Sequence, residues 1–279
     1  MSRQATIERD VSFSGISLQE GKKVEIICRP APAGTGIVFI RTDIGPDARI
    51  PLNEKTISTG PDRRTTLSVP GAEVQTIEHF MSVLWCLSID NIYVELNAEE
   101  MPAMDGSAGG FLEVLRPAGR KEQDRPRRII EINKEFRVEK NGAYVAVYPA
   151  EGFVVSYSID YGIPSIPSEK MEVELSPSVF EKEILPARTF CLKEEAEMLL
   201  KAGLGKGATF ENTLVMAADG PVDTKLRFSN EPLRHKMLDL VGDLYLTGRP
   251  LKGRIEAVRS GHRLNAEMVR YLYREYNAQ

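Results

Sequence analysis

Cysteine is scarce in this chain, and its pattern is as informative as its number. Cys28, Cys86 and Cys191 are the only three in 279 residues, widely spaced and set in apolar contexts. An odd, scattered set suits neither a disulfide frame nor a cysteine-based zinc knuckle; it fits a reduced cytosolic protein with buried thiols. Long apolar runs are missing as well. FMSVLWCLSI (Phe80 to Ile89) is too short for a membrane span, which needs about 20 residues. The amino-terminal MSRQATIERD has no apolar h-region of the kind that marks a chain for export. Nor is there a basic excess: a net charge of -4 and a pI near 5.6 argue against a nucleic-acid partner. With 42% hydrophobic residues, the expectation is a globular chain with a real core. It is expected in the cytoplasm, as a monomer without a membrane span, any membrane contact being peripheral.

What is present has a repeated grammar. In the first half, GKKVEIICRP (Gly21 to Pro30) and GIVFIRTD (Gly36 to Asp43) read as strands, a helix follows from about Thr76 to Leu87, and IDNIYVELN (Ile89 to Asn97) alternates like a strand. The charged stretch RPAGRKEQDRPRR (Arg116 to Arg128), with Pro117, Gly119 and Pro126 and no apolar period, reads as a linker. The second half repeats strands, then helices at CLKEEAEMLLKAG and RHKMLDLVGDLYL, then the strand-like LKGRIEAVRSG. EHFMSVLWCLSIDNIYVEL and RHKMLDLVGDLYLTGRPLKGRIEA each place a charged residue and a His at a helix start, then a greasy helix, a turn and a strand. The expectation is an α+β fold of two similar domains from an internal duplication, residues 1–118 and 129–279, joined by 119–128, with a ligand held between them.

RHKMLDLVGDLYL (Arg234 to Leu246) carries an apolar face, yet His235, Asp239 and Asp243 recur every four residues and stack into one stripe. A polar stripe ordinarily faces water, and a His with an Asp one turn away is ordinarily a surface pair. The alternative is a metal site. The chain holds only three histidines, His79, His235 and His262. His79, His235 and Asp239 would supply two imidazoles and one carboxylate, leaving a position open as in catalytic zinc sites. Glu78, beside His79, is placed to act as a general base. His262, in RSGHRLN, is the imidazole left to act as acid, and Asp243 could hold it and stabilise its protonated form. Each residue also has an ordinary reading: an exposed helix Glu, a satisfied core His, a surface acid.

Four stretches carry a family resemblance. TIEHFMSVLWCLSIDNIYVELNAEEMPAMDGSA (Thr76 to Ala108), ARTF (Ala187 to Phe190) with the later GLGKGATFENTLV, LRFSNEPLRHKMLDLVGDLYL, and SGHRLN (Ser260 to Asn265) resemble the UDP-3-O-acyl-N-acetylglucosamine deacetylases of lipid A biosynthesis, a family of zinc amidases. The resemblance implies two α+β sandwiches, each with a small insert, packed with the active site between them. It implies His79, His235 and Asp239 as zinc ligands, Glu78 as base, and His262 as acid with Asp243 as its partner. Thr189 would help hold the tetrahedral oxyanion, its ordinary alternative being a loop Thr bonded to its own backbone. Lys236 would contact the substrate near the sugar and diphosphate. Tyr161 would lie against the uracil, and Phe190 would be a further substrate contact. Asp105, in the MDGSA turn, would be structural or assist the acid. The second insert, expected near residues 161–185, would form a hydrophobic passage for the acyl chain, with Ile163, Ile166, Met171, Val173 and Leu175 offered as lining.

One departure stands out. The family usually places a His followed by a small residue and Gly near the amino terminus, at a position associated with diphosphate binding, where this chain has Gln19 in ISLQEG. The stretch from Pro51 to Val74 also matches loosely. The chain is therefore read as a metal-dependent deacetylase of a UDP-linked, 3-O-acylated amino sugar. The rivals are a divergent zinc amidase on another N-acetylated sugar and a non-catalytic binding homologue. The donor set suits Fe(II) as well as Zn.

Overall fold

The computed structural model describes residues 2–45, 47–58 and 63–276. Part of the loosely matching stretch, residues 59–62, lies outside these, as do the ends of the expected domains, Met1 and residues 277–279. Six α-helices occur among the described residues: α1 Glu78–Leu87, α2 Gly109–Leu115, α3 Pro177–Glu183, α4 Lys193–Lys201, α5 Glu231–Leu244 and α6 His262–Tyr276.

Two large sheets share one plan. In the first half the strand order is Val11–Ile16, Lys23–Pro30, Ile92–Leu96, Ile37–Arg41, Arg49–Pro51. In the second it is Phe136–Lys140, Ala143–Tyr148, Leu251–Val258, Phe153–Ile159, Glu169–Glu174, with Ile130–Glu131 pairing beside Leu251–Val258. Each time the last strand in sequence slots between the second and third, antiparallel to the second and parallel to the third. A helix precedes that central strand (α1, then α5) and another follows it (α2, then α6). The internal duplication is thus present in the topology, and the fold is α+β as expected.

Side-chain alternation sets the register. Ile92, Val94 and Leu96 are buried while Tyr93 and Glu95 are half-buried, and Leu251–Val258 alternates in the same way, so one face of each sheet points to the core. α1 is buried almost all round, from Glu78 to Cys86, which a helix tolerates only when packed on every side. Its main neighbour is α5. The two approach closely at Gly242, where an added Cβ would lie 2.0 Å from the Glu78 carbonyl oxygen. Trp85 of α1 also packs on Phe153 and Phe180, at ring separations of 5.5 and 5.2 Å, so a single apolar core joins the halves.

Residues 120–126, in the charged stretch expected as a linker, form a strand paired antiparallel with Arg3–Ile7. Its downstream end is tied in by Arg127, which donates to Asp90 (2.7 Å) and to the Tyr245 hydroxyl (3.3 Å). Residues 161–185 contribute the Glu169–Glu174 strand to the second large sheet, followed by α3. A separate three-stranded sheet instead forms from Phe190–Leu192, Leu214–Ala217 and Gly220–Pro221, with α4 between its first two strands. In the first half, Thr66–Val69 and Ala72–Gln75 make a separate hairpin.

Candidate active site

α1 and α5 bring their polar residues together at the contact between the halves. His79, His235 and Asp239 are 7%, 3% and 2% exposed, so the stripe on α5 does not face water. Asp239 Oδ1 lies 3.6 Å from His79 Nε2 and 3.3 Å from His235 Nε2, and one ligand atom from each of the three residues falls within a 4.8 Å span. The His235 Nδ1–H donates to the Ala187 carbonyl (3.1 Å); a carbonyl can only accept, so the lone pair is on Nε2, which faces the cluster. Burial lowers the His235 pKa to about 3, leaving a neutral ring. Asp239 Oδ1 is buried with no hydrogen-bond partner among the described residues. A buried carboxylate oxygen without a donor is costly, and here it sits beside the Nε2 atoms of His79 and His235. That donor chemistry fits a divalent cation.

Two further groups face this cluster. His262, the first residue of α6, has Nε2 at 3.9 Å from Glu78 Oε1 and 3.8 Å from Asp239 Oδ2. Its Nδ1 lies 2.9 Å from Asp243 Oδ2. Asp243, fully buried, also accepts from the Asn265 amide (2.7 Å) and the Thr65 hydroxyl. The Thr65 backbone N–H donates to Glu78 Oε2 (3.0 Å). Burial raises the Glu78 pKa against the pull of His262 and His79. Burial would lower that of His262, but Asp243 and Glu78 outweigh it and hold it up at about 9. Asp239 is likewise kept ionised: burial is overcome by the charge of Lys236, whose ammonium it binds.

A cavity of about 420 Å³ opens over these groups, and Gln19, Tyr161, Thr189, Phe190 and Lys236 are in its wall. Every residue singled out for the site lines it except Asp243, which stands behind His262, and Asp105, which pairs with Arg227 (2.8 Å). Thr189 uses its backbone N–H on Gly106 (2.8 Å) and its carbonyl on Leu214 N–H (2.9 Å); its hydroxyl has no partner among the described residues. The loop before it is fixed by Arg188, whose guanidinium and backbone N–H both donate to the buried Glu231 at the start of α5. Tyr161 and Phe190 meet edge to face at 5.3 Å. Gln19 binds elsewhere: its side-chain carbonyl accepts from Gly205 N–H (3.2 Å).

A second, more apolar cavity of about 450 Å³ adjoins the first and shares Gln19, Thr189 and Phe190 with it. Its lining comes from α4, the following loop and the Leu214–Ala217 strand, including Leu199, Leu200, Phe210 and Val215, not from residues 163–175. Of those, Ile166 and Leu175 are core, and Ile163, Met171 and Val173 pack against it. Sequence reasoning also missed Thr65 and Asn265. Asn265 carried a usable signal, lying one helical turn from His262, whereas Thr65 carried none.

A duplicated α+β fold with a buried His–His–Asp cluster, faced by a carboxylate and an imidazole, defines a metal-dependent hydrolase. The family model for UDP-3-O-acyl N-acetylglycosamine deacetylase matches residues 4–274. Proteins named UDP-3-O-acyl-N-acetylglucosamine deacetylase are similar over the same length. That of Xanthomonas euvesicatoria is 38% identical over 280 residues, covering 98% of this chain and 90% of that protein. Those of Chromohalobacter salexigens and Pseudomonas entomophila are each 39% identical, covering 100% of this chain and 92% of theirs. The chain belongs to the UDP-3-O-acyl N-acetylglycosamine deacetylase family. Among the described residues no helix is long and apolar enough to cross a membrane.

Proposed function

We propose that this protein removes the N-acetyl group from UDP-3-O-acyl-N-acetylglucosamine, giving acetate and the free amine, a step of lipid A biosynthesis. The observation that carries the reading is the convergence of His79, His235 and the unpartnered Asp239 oxygen beside Glu78 and His262. His79, His235 and Asp239 would hold the metal, and zinc is the proposed ion, with Fe(II) suited to the same donors. When bound, such an ion supplies Lewis acidity to the attacking water and the amide oxygen.

The remaining work falls to the chain's own groups. Glu78 takes the proton of the attacking water, its basicity raised by burial. The Thr189 hydroxyl donates to the oxygen that gains charge in the tetrahedral state. His262 delivers its Nε2 proton to the departing nitrogen, with Asp243 fixing its orientation through Nδ1. Lys236 neutralises Asp239 and lies where it meets the polar part of the substrate. Tyr161 and Phe190 offer ring faces and edges to the nucleotide, Gln19 borders it, and the apolar cavity receives the acyl chain. We read residues 1–118 and 129–279 as two domains joined by 119–128, working as a cytoplasmic monomer. Their repeated topology and the free cysteines support that reading.

Rates and metal content measured together test this. His79→Ala is expected to lose metal and turnover at once, whereas His262→Ala keeps its metal and loses turnover. A fully active His79→Ala protein without metal would end the assignment. Gln19 motivates a second reading, the same chemistry on another N-acetylated sugar; assays on acylated and non-acylated UDP-sugars side by side separate the two.

A further inference from the structure

Four lysine and arginine side chains line the main cavity: Arg63, Arg64, Lys236 and Arg263. Three of them face an acid. Arg63 pairs with Glu195 (2.5 Å), Lys236 with Asp239, and Arg263 lies 3.9 Å from Glu267. Arg64 has neither an acid nor a hydrogen-bond acceptor among the described residues, and its Nε is buried and unpartnered. A guanidinium is charged at any working pH and presents its donors as a fixed planar fork. Leaving such a group half-buried and unpaired in a cavity wall is unfavourable unless a ligand completes its hydrogen bonds. The Glu78 carboxylate does not take it, although Arg64 precedes Thr65, whose N–H holds Glu78.

We propose that Arg64 is a substrate-positioning residue that binds the diphosphate of the nucleotide-linked sugar. This rests on the proposed function: in that substrate the sugar, acyl chain and uridine are neutral, so the diphosphate is the one anionic group. Gln19, which lines the same cavity, brings no charge, and its side-chain carbonyl is taken by Gly205. Arg64 therefore supplies a positive charge that Gln19 cannot.

The test uses metal-loaded protein with Arg64→Gln and Arg64→Lys. The Gln variant is expected to raise KM for the acylated UDP-sugar by about 10- to 100-fold, the range of one or two charge-assisted hydrogen bonds, with kcat within about threefold. The Lys variant, keeping the charge and losing the fork, recovers part of the loss. Calorimetric binding of UDP should weaken in step with KM. Inhibition by acetohydroxamate, a small metal binder without phosphate, should stay unchanged. Unaltered KM and UDP binding in a folded Arg64→Gln protein would overturn the proposal, as would a fall in kcat alone. If the wild type fails to turn over the sugar while UDP binding still depends on Arg64, the functional reading fails and this assignment stands.

Discussion

Asp243 gathers three contacts from separate parts of the chain: the Thr65 hydroxyl, the Asn265 amide and the His262 imidazole. A carboxylate so held cannot swing, and it fixes which His262 nitrogen faces Glu78 and the metal cluster. Thr65→Val keeps the shape and the backbone N–H to Glu78 but deletes the hydroxyl. Partners of this outer kind are worth about 10- to 100-fold in activity. Because Asn265 and His262 still hold Asp243, the lower end is expected: kcat down about 10-fold, with KM and metal content unchanged. Steady-state rates and elemental analysis check this, and an unchanged kcat would show that Asn265 and His262 orient Asp243 unaided. The α5 column was legible in the sequence because residues four apart share a helix face. Its burial was not, since a polar stripe reads alike toward water or into a cavity. Thr65 was illegible for a different reason: its partner is 178 positions away, and no local pattern marks such a contact.

At the scale of elements, the site depends on how closely α1 and α5 approach. Gly242 permits that approach, since a Cβ there would meet the Glu78 carbonyl oxygen at 2.0 Å and its carbon at 2.8 Å. Gly242→Ala sets two effects against each other. Helix propensity favours Ala by about 1 kcal/mol, while forced overpacking costs about 1–3 kcal/mol. Backbone atoms on a buried helix have little room to yield, so the clash wins. Glu78 and His79 would then move relative to His235 and Asp239. A displacement of about 1 Å can cost roughly 100-fold in rate, so kcat is expected to fall far more than stability does. Thermal melts beside steady-state rates decide it, and a variant with full activity would rule out a tight constraint here. The helices and central strands were legible from their apolar periods. Strand 120–126 was not, because nearly all of its side chains are exposed and only its backbone pairing defines it. The apolar cavity was sought among residues 163–175 because lining and core are equally greasy; burial alone tells them apart.

For the whole molecule, the decisive fact is where the cluster's donors come from. His79 belongs to the first repeat of the topology, and His235 and Asp239 to the second. A cation held by all three would tie the halves together, and ligand binding to the native state adds to its stability by mass action. At free metal about 100-fold above its dissociation constant the gain is about 2.7 kcal/mol. For a chain of this size each kcal/mol moves the midpoint by roughly 2–4 °C. Chelation is therefore expected to lower Tm by about 5 °C or more and abolish activity together, and added zinc should restore both. In His79→Ala the donor from the first half is gone, so the chelator-dependent shift should shrink or vanish even though two donors remain on α5. A Tm indifferent to chelation in the wild type would mean that the His–His–Asp cluster is satisfied without an ion. The unpartnered Asp239 oxygen would then need another explanation.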